Sequence, residues 1–171
     1  PFTADDVVFS YGRITQPKGT NQIYVSGVKE VKKIDDHTVD LILGGPNPVL
    51  LRLLVDFRIM SKAWSVKNKS ENVQDYVAKE ESYASRHANG TGPYLIKLWE
   101  PDKRIVFAAN PAWWDKLQGN ATEVIYTPIK ADATRIAALL SGDVDIVTDL
   151  PTQDVQRLRN EPKLKVLDGH E

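Results

Sequence analysis

The sequence contains no cysteine, which excludes disulfides and thiolate metal sites but leaves the compartment open, since exported proteins also do without it. Nor is there an excess of positive charge: 22 Lys and Arg stand against 23 Asp and Glu, a formal net charge of -1. A phosphate backbone is held by a basic face that displaces counterions, so nucleic acid is not expected as a partner. No apolar run approaches the roughly 18 residues of a membrane span, and the longest candidate, 49–55, is interrupted by Arg52. There is no initiator Met and no basic-then-apolar leader at the start. The chain instead opens directly on helix chemistry and ends in a short strand running into a turn, so both termini are expected to lie inside a longer polypeptide.

What is present suits a soluble globular protein. With 171 residues, 42% hydrophobic and 26% charged, the chain can bury a core as one domain or two small ones. Thr3 can cap a first helix, with Asp6 three residues on completing a capping box ahead of Val7, Val8 and Tyr11. Residues 28–34 and 38–43 read as a β-hairpin turning at Asp35 and Asp36. A break at 44–48 leads into a short apolar helix over 49–55, and the polar stretch 61–88 suits surface helical pieces. After the breakers Gly90, Gly92 and Pro93, a second hairpin is expected over 94–99 and 104–108, then strands at 123–127, 144–147 and 164–167 alternating with helices at 132–141 and after Pro151. The layout is α/β, with a boundary near Ala88.

Several segments resemble the bacterial extracellular solute-binding proteins of family 5, which carry oligopeptides, dipeptides and nickel. Phe2-Thr3-Ala4-Asp5-Asp6-Val7 with Phe9-Ser10 is similar to the family's helix opening, and Val31 with Asp35-Asp36 and Thr38-Val39 to its hairpin. Gly90-Thr91-Gly92-Pro93-Tyr94 matches its GTGPY turn. Asn110-Pro111-Ala112-Trp113-Trp114 resembles "N-P-x-Y-W", with Trp113 where Tyr is usual, and Gly142-Asp143-Val144-Asp145-Ile146 resembles "G-E-x-D-x". The resemblance implies an α/β fragment of a periplasmic-binding-protein lobe, with residues 1–88 in its accessory subdomain and 89–171 in its core subdomain. It implies a second lobe outside this chain, a solute enclosed between lobes, and a substrate-binding component of an ABC importer that captures peptides or similar small solutes. Implied partners are that solute and the ABC permease subunits. The implied compartment is the periplasm, or the cell surface as a lipoprotein in a Gram-positive bacterium. A ligand-sensing or chaperone-like domain on the same scaffold is the alternative. A monomer is expected, with no cofactor.

No catalytic or metal site is expected. His37, His87 and His170 are scattered and read as solvated; Asp5 and Asp6 suit a helix start; Gly90-Thr91-Gly92 lacks the Lys-Ser/Thr of a phosphate loop and precedes a strand. Three Asn-x-Ser/Thr triplets, at Asn68, Asn89 and Asn120, are discounted as short and frequent patterns. Trp113 and Trp114 read as anchors of their turn to the core rather than as stacking groups for a ligand. Two ligand-binding candidates remain. Thr148 and Asp149 follow an expected strand and precede a helix, where open α/β sheets hold ligands, although Asp149 reads equally well as a helix cap. By resemblance, Asn21 and Tyr24 lie in a loop of the accessory subdomain that reaches the cleft in some members.

Overall fold

The computed structural model describes residues 1–169, so the reading of His170 as a solvated residue lies outside the described residues. The chain divides into two compact units, one of Pro1–Trp99 with Val106–Val124 and one of Glu100–Ile105 with Ile125–Glu171. The expected boundary after Ala88 falls inside the first.

In the first unit, α1 (Ala4–Ile14) begins as its sequence demands: the Asp6 carboxylate accepts the Thr3 backbone N–H at 2.9 Å, satisfying a donor that the helix start would orphan. Strands β1 (Val28–Asp35) and β2 (Thr38–Leu43) form an antiparallel hairpin in which Val31 faces Leu41, with register irregularities on both sides of that pair. The turn is fixed by Asp35, whose Oδ1 accepts the His37 N–H at 2.8 Å. Ala4, Val25, Val31, Leu50 and Val106 are the buried apolar residues of this unit. Residues 49–56 form a short α2 (Leu50–Leu53) continued as a 3-10 turn, and α3 (Lys62–Lys67) starts at a Ser61 whose hydroxyl accepts the Trp64 N–H.

Much of α1 is held by polar side chains rather than by oil. Asp6, Ser10, Arg13 and Gln16 recur at helix spacing and together grip the backbone of residues 60–73. Asp6 Oδ1 accepts the Lys62 N–H at 2.8 Å, and Ser10 Oγ accepts the Met60 N–H at 2.8 Å. Arg13 donates to the carbonyls of Ser70 and Asn72, both at 3.2 Å, and Gln16 Oε1 accepts the Val73 N–H at 2.9 Å. The start of α3 and the irregular stretches on either side of it thereby have backbone groups satisfied.

Strands β3 (Tyr94–Glu100), β4 (Arg104–Ala109) and β5 (Glu123–Tyr126) form a sheet in the order β3-β4-β5. A glycine between Thr91 and Pro93 suggests backbone angles that only glycine adopts. Gly92 does not use them: its φ is ordinary and nothing crowds a Cβ placed there. The turn works instead through carbonyls, because Asn110 Nδ2 donates to Gly92 O at 3.0 Å and the Asn110 N–H to Pro93 O at 2.7 Å. Gly142 does need its freedom. It ends α4 (Asp132–Ser141) at φ +83°, which lets the Asp143 N–H close back on Ala138 O.

Three expectations are corrected. No strand forms at 144–147 or at 164–167: among the described residues neither segment has a ladder partner, and a strand exists only by pairing. Trp114 is 79% exposed and meets Trp113 edge-on at 5.8 Å, so it does not anchor its turn to a core. The second unit's buried apolar residues are Ile136 of α4 and Leu158 of α5 (Thr152–Arg159).

Candidate functional site

Arg135 builds the loop that carries Thr148 and Asp149. It lies on α4, where Asp132 at i-3 takes one arm of its guanidinium at 2.7 Å. Its other bonds go to backbone: Nη1 donates to Ile129 O at 2.9 Å and Nη2 to Asp149 O at 3.0 Å. The loop is thus held by its main chain, and the Thr148 and Asp149 side chains are left exposed, with a 3.4 Å contact between Thr148 Oγ1 and Asp149 Oδ2. Asp149 has φ +55°, a left-handed conformation that costs an L-residue about 1–2 kcal/mol and that Asp tolerates better than most.

That geometry removes one of the two roles weighed for Asp149. The residue preceding α5 is Pro151, no side chain caps this helix, and the Asp154 N–H is taken by Pro151 O at 2.9 Å. Asp149 is therefore no helix cap. The strand that was to place it at a sheet edge is also absent, so the case for ligand contact rests on an exposed carboxylate held in a strained, anchored loop.

Asn21 and Tyr24 belong to the first unit. Asn21 precedes the 3-10 turn Gln22–Val25 and lines a polar hollow of about 260 Å³ together with Arg13, Lys18, Asp56, Arg58 and Ser85. Tyr24 is half-buried on the same turn and does not line it. The charges of the hollow are spent internally. Arg13 holds carbonyls, and burial lowers its pKa; Arg58 meets Asp56 at 3.3 Å; Lys18 is paired with Asp75. The hydrogen bond between Lys18 and Asp75 raises the lysine's pKa and lowers the aspartate's. A solute entering here would have to break pairs already made.

Sequence reading missed a second groove in this unit, about 410 Å³, lined by Trp64, Tyr83, Arg86, His87, Lys97 and Trp99 among others. Residues 61–88 had read as surface helical pieces, and the aromatics come together only because α3, the 3-10 turn Tyr83–Ser85 and β3 meet there. The one available signal was Trp64 and Tyr83 within a polar stretch. Among the described residues no group of three or more His, Asp or Glu side chains is placed to hold a metal ion, and no helix is long and apolar enough to cross a membrane.

These elements are those of a mixed α/β fold. The family model for the bacterial extracellular solute-binding proteins, family 5 Middle, matches residues 1–171, and the chain belongs to that family. It is 28% identical to the periplasmic oligopeptide-binding protein OppA of Salmonella typhimurium over 94% of its own length and 32% of the relative's. The fold matches the ABC transporter-associated periplasmic binding protein DppA from Helicobacter pylori in complex with the peptide STSA. The TM-score is 0.66 and the identity 28%, with coverage of 94% of this chain and 33% of that one. It also matches the binding protein AgaA in complex with agropinic acid from A. tumefacien R10, with a TM-score of 0.72, 27% identity and coverage of 94% and 31%. The chain spans about a third of the length of these proteins.

Proposed function

We propose that this chain belongs to the substrate-binding component of an ABC importer, which captures peptides or similar small solutes outside the inner membrane and delivers them to a permease. The observation that carries the reading is the family match along the whole chain, supported by likeness to proteins whose names record oligopeptide binding and complexes with a peptide and with agropinic acid. The work is capture and release without chemistry, in a periplasmic or surface-anchored protein. Residues 1–88 serve as the accessory subdomain and 89–171 as the core subdomain of one lobe. Thr148 and Asp149, on the loop anchored by Arg135, and Asn21 and Tyr24 are the residues proposed to reach the solute.

In this reading binding replaces solute hydration with side-chain and backbone groups, and affinity follows the population of the binding-competent state. Uptake of labelled di- to pentapeptides and of opines by cells lacking the encoding gene tests it. Loss of uptake of at least one class, restored by the gene, is the expected result. Unchanged uptake together with an altered transcriptional response to the same solutes would replace transport by sensing.

A further inference from the structure

The aromatic groove of the first unit has a composition that the polar hollow lacks. Trp64 and Tyr83 stand with ring centroids 5.7 Å apart, His87 stacks flat on Tyr83 at 3.7 Å, and the Arg86 guanidinium lies 5.5 Å from the centroid of the Trp99 ring. Tyr83 and Trp99 keep 45% and 41% of their surface exposed, so each ring, with His87 or Arg86 against one side, still offers surface to a ligand. The charged residues of the lining are Arg86 and Lys97, beside the His87 imidazole, and no carboxylate lines the groove among the described residues.

Both cations have partners outside the lining. Glu81 takes Arg86 in a two-pronged pair at 2.8 and 2.5 Å, and Glu123 takes Lys97 at 2.8 Å. All four side chains are 43% exposed or more, and exposed pairs of this kind add little to stability. A carboxylate in the groove can therefore displace Glu81 from a guanidinium whose planar fork suits it equally, while the rings receive a flat apolar group.

We propose that this groove is a binding site for organic anions that carry a flat apolar group, with Arg86 receiving the carboxylate and Trp99, Tyr83 and Trp64 the ring. The proposal rests on the solute-binding reading and names the solute chemistry this part of the surface selects. Phenylacetate is the probe, with phenylacetamide as its neutral isostere. Titration of this chain, followed by tryptophan fluorescence and calorimetry, should show phenylacetate binding about tenfold or more tighter than phenylacetamide, weakening as salt is added. Trp99→Leu and Arg86→Gln should each weaken it by about tenfold. Glu81→Gln should tighten it several-fold by removing the competing carboxylate, an effect that a damaged fold would not produce.

Equal binding of the two probes, no binding of either, or affinity unmoved by Trp99→Leu or by Glu81→Gln would overturn the proposal. Phenylacetate binding with this pattern, in a protein whose gene deletion leaves uptake intact, would uphold the groove and remove the transport reading. Lost uptake with no such binding would do the reverse.

Discussion

Replacing Asp6 tests the claim that α1 is held by polar contacts to the backbone at and around α3. Asp6 is 7% exposed, and its two oxygens accept two backbone N–H groups, that of Thr3 at 2.9 Å and that of Lys62 at 2.8 Å. In Asp6→Ala the first loss is that of a helix-start partner, about 0.5–2 kcal/mol. The second leaves the part-buried Lys62 N–H without an acceptor, about 1–3 kcal/mol. The two losses share one side chain and do not simply add, so the total should be about 2–4 kcal/mol. At roughly 2–4 °C of melting temperature per kcal/mol for a chain this long, that is a fall of about 5–15 °C. Asp6→Asn keeps one acceptor and turns an NH2 toward the other donor, so it should lose about half as much. Urea unfolding gives the free energy, and amide hydrogen exchange at Lys62, expected to quicken markedly in both variants, shows where the loss falls. Asp6→Ala within about 1 kcal/mol of the parent, or unchanged exchange at Lys62, would refute the account.

Asp149→Gly should leave stability unchanged or raise it by up to about 1 kcal/mol, because relief of the left-handed strain outweighs or balances the entropy glycine adds to the unfolded chain; a loss of 2 kcal/mol or more in urea unfolding would show that the carboxylate holds the loop. Lys33 bridges Asp5 and Asp36, each at 2.7 Å, and its hydrogen bond holds the Asp5 carboxyl below the usual range. A depressed carboxyl adds stability above its unfolded pKa and loses it as pH falls through its folded pKa, so stability should decline from about pH 4 downward. Lys33→Met should flatten that acid limb in pH-dependent melting, and an unaltered limb would count against the bridge.

The local elements were legible because their signals are local. The capping pattern of Thr3 and Asp6, the period of Ile136, Ala137, Leu139 and Leu140, and Gly142 at a helix end fix α1 and α4 with no help from distant residues. The strands expected at 144–147 and 164–167 illustrate the limit: apolar β-formers propose a strand, but a partner must accept it, and pairing is not written in the segment itself. The polar stripe of α1 was hidden for a related reason. Asp6, Ser10 and Arg13 are ordinary polar residues on a helix, with Gln16 just past its end, and only the tertiary arrangement shows that their targets are backbone groups 50 to 59 positions along the chain. Arg135 is a mixed case. Its i-3 pairing with Asp132 could be read from spacing, whereas its hold on the carbonyls of Ile129 and Asp149 could not.

Four of the five segments that carried the family resemblance turn out to clasp one another in pairs. Ala4 at the helix opening donates its N–H to Asp36 O of the hairpin motif at 2.8 Å, and Lys33 joins Asp5 of the first motif to Asp36 of the second. Asn110 of the Asn-Pro motif seizes the carbonyls of Gly92 and Pro93 in the GTGPY turn. Such residues state how backbone is tied to backbone, which is information about fold. The groups proposed to meet a solute, Trp64, Tyr83, Arg86 and Trp99 in the groove and Asp149 on its loop, all lie outside those motifs. The residues that place this chain in its family are therefore a different set from those proposed to meet a solute, in keeping with a scaffold that is found with a peptide in one relative and with agropinic acid in a second.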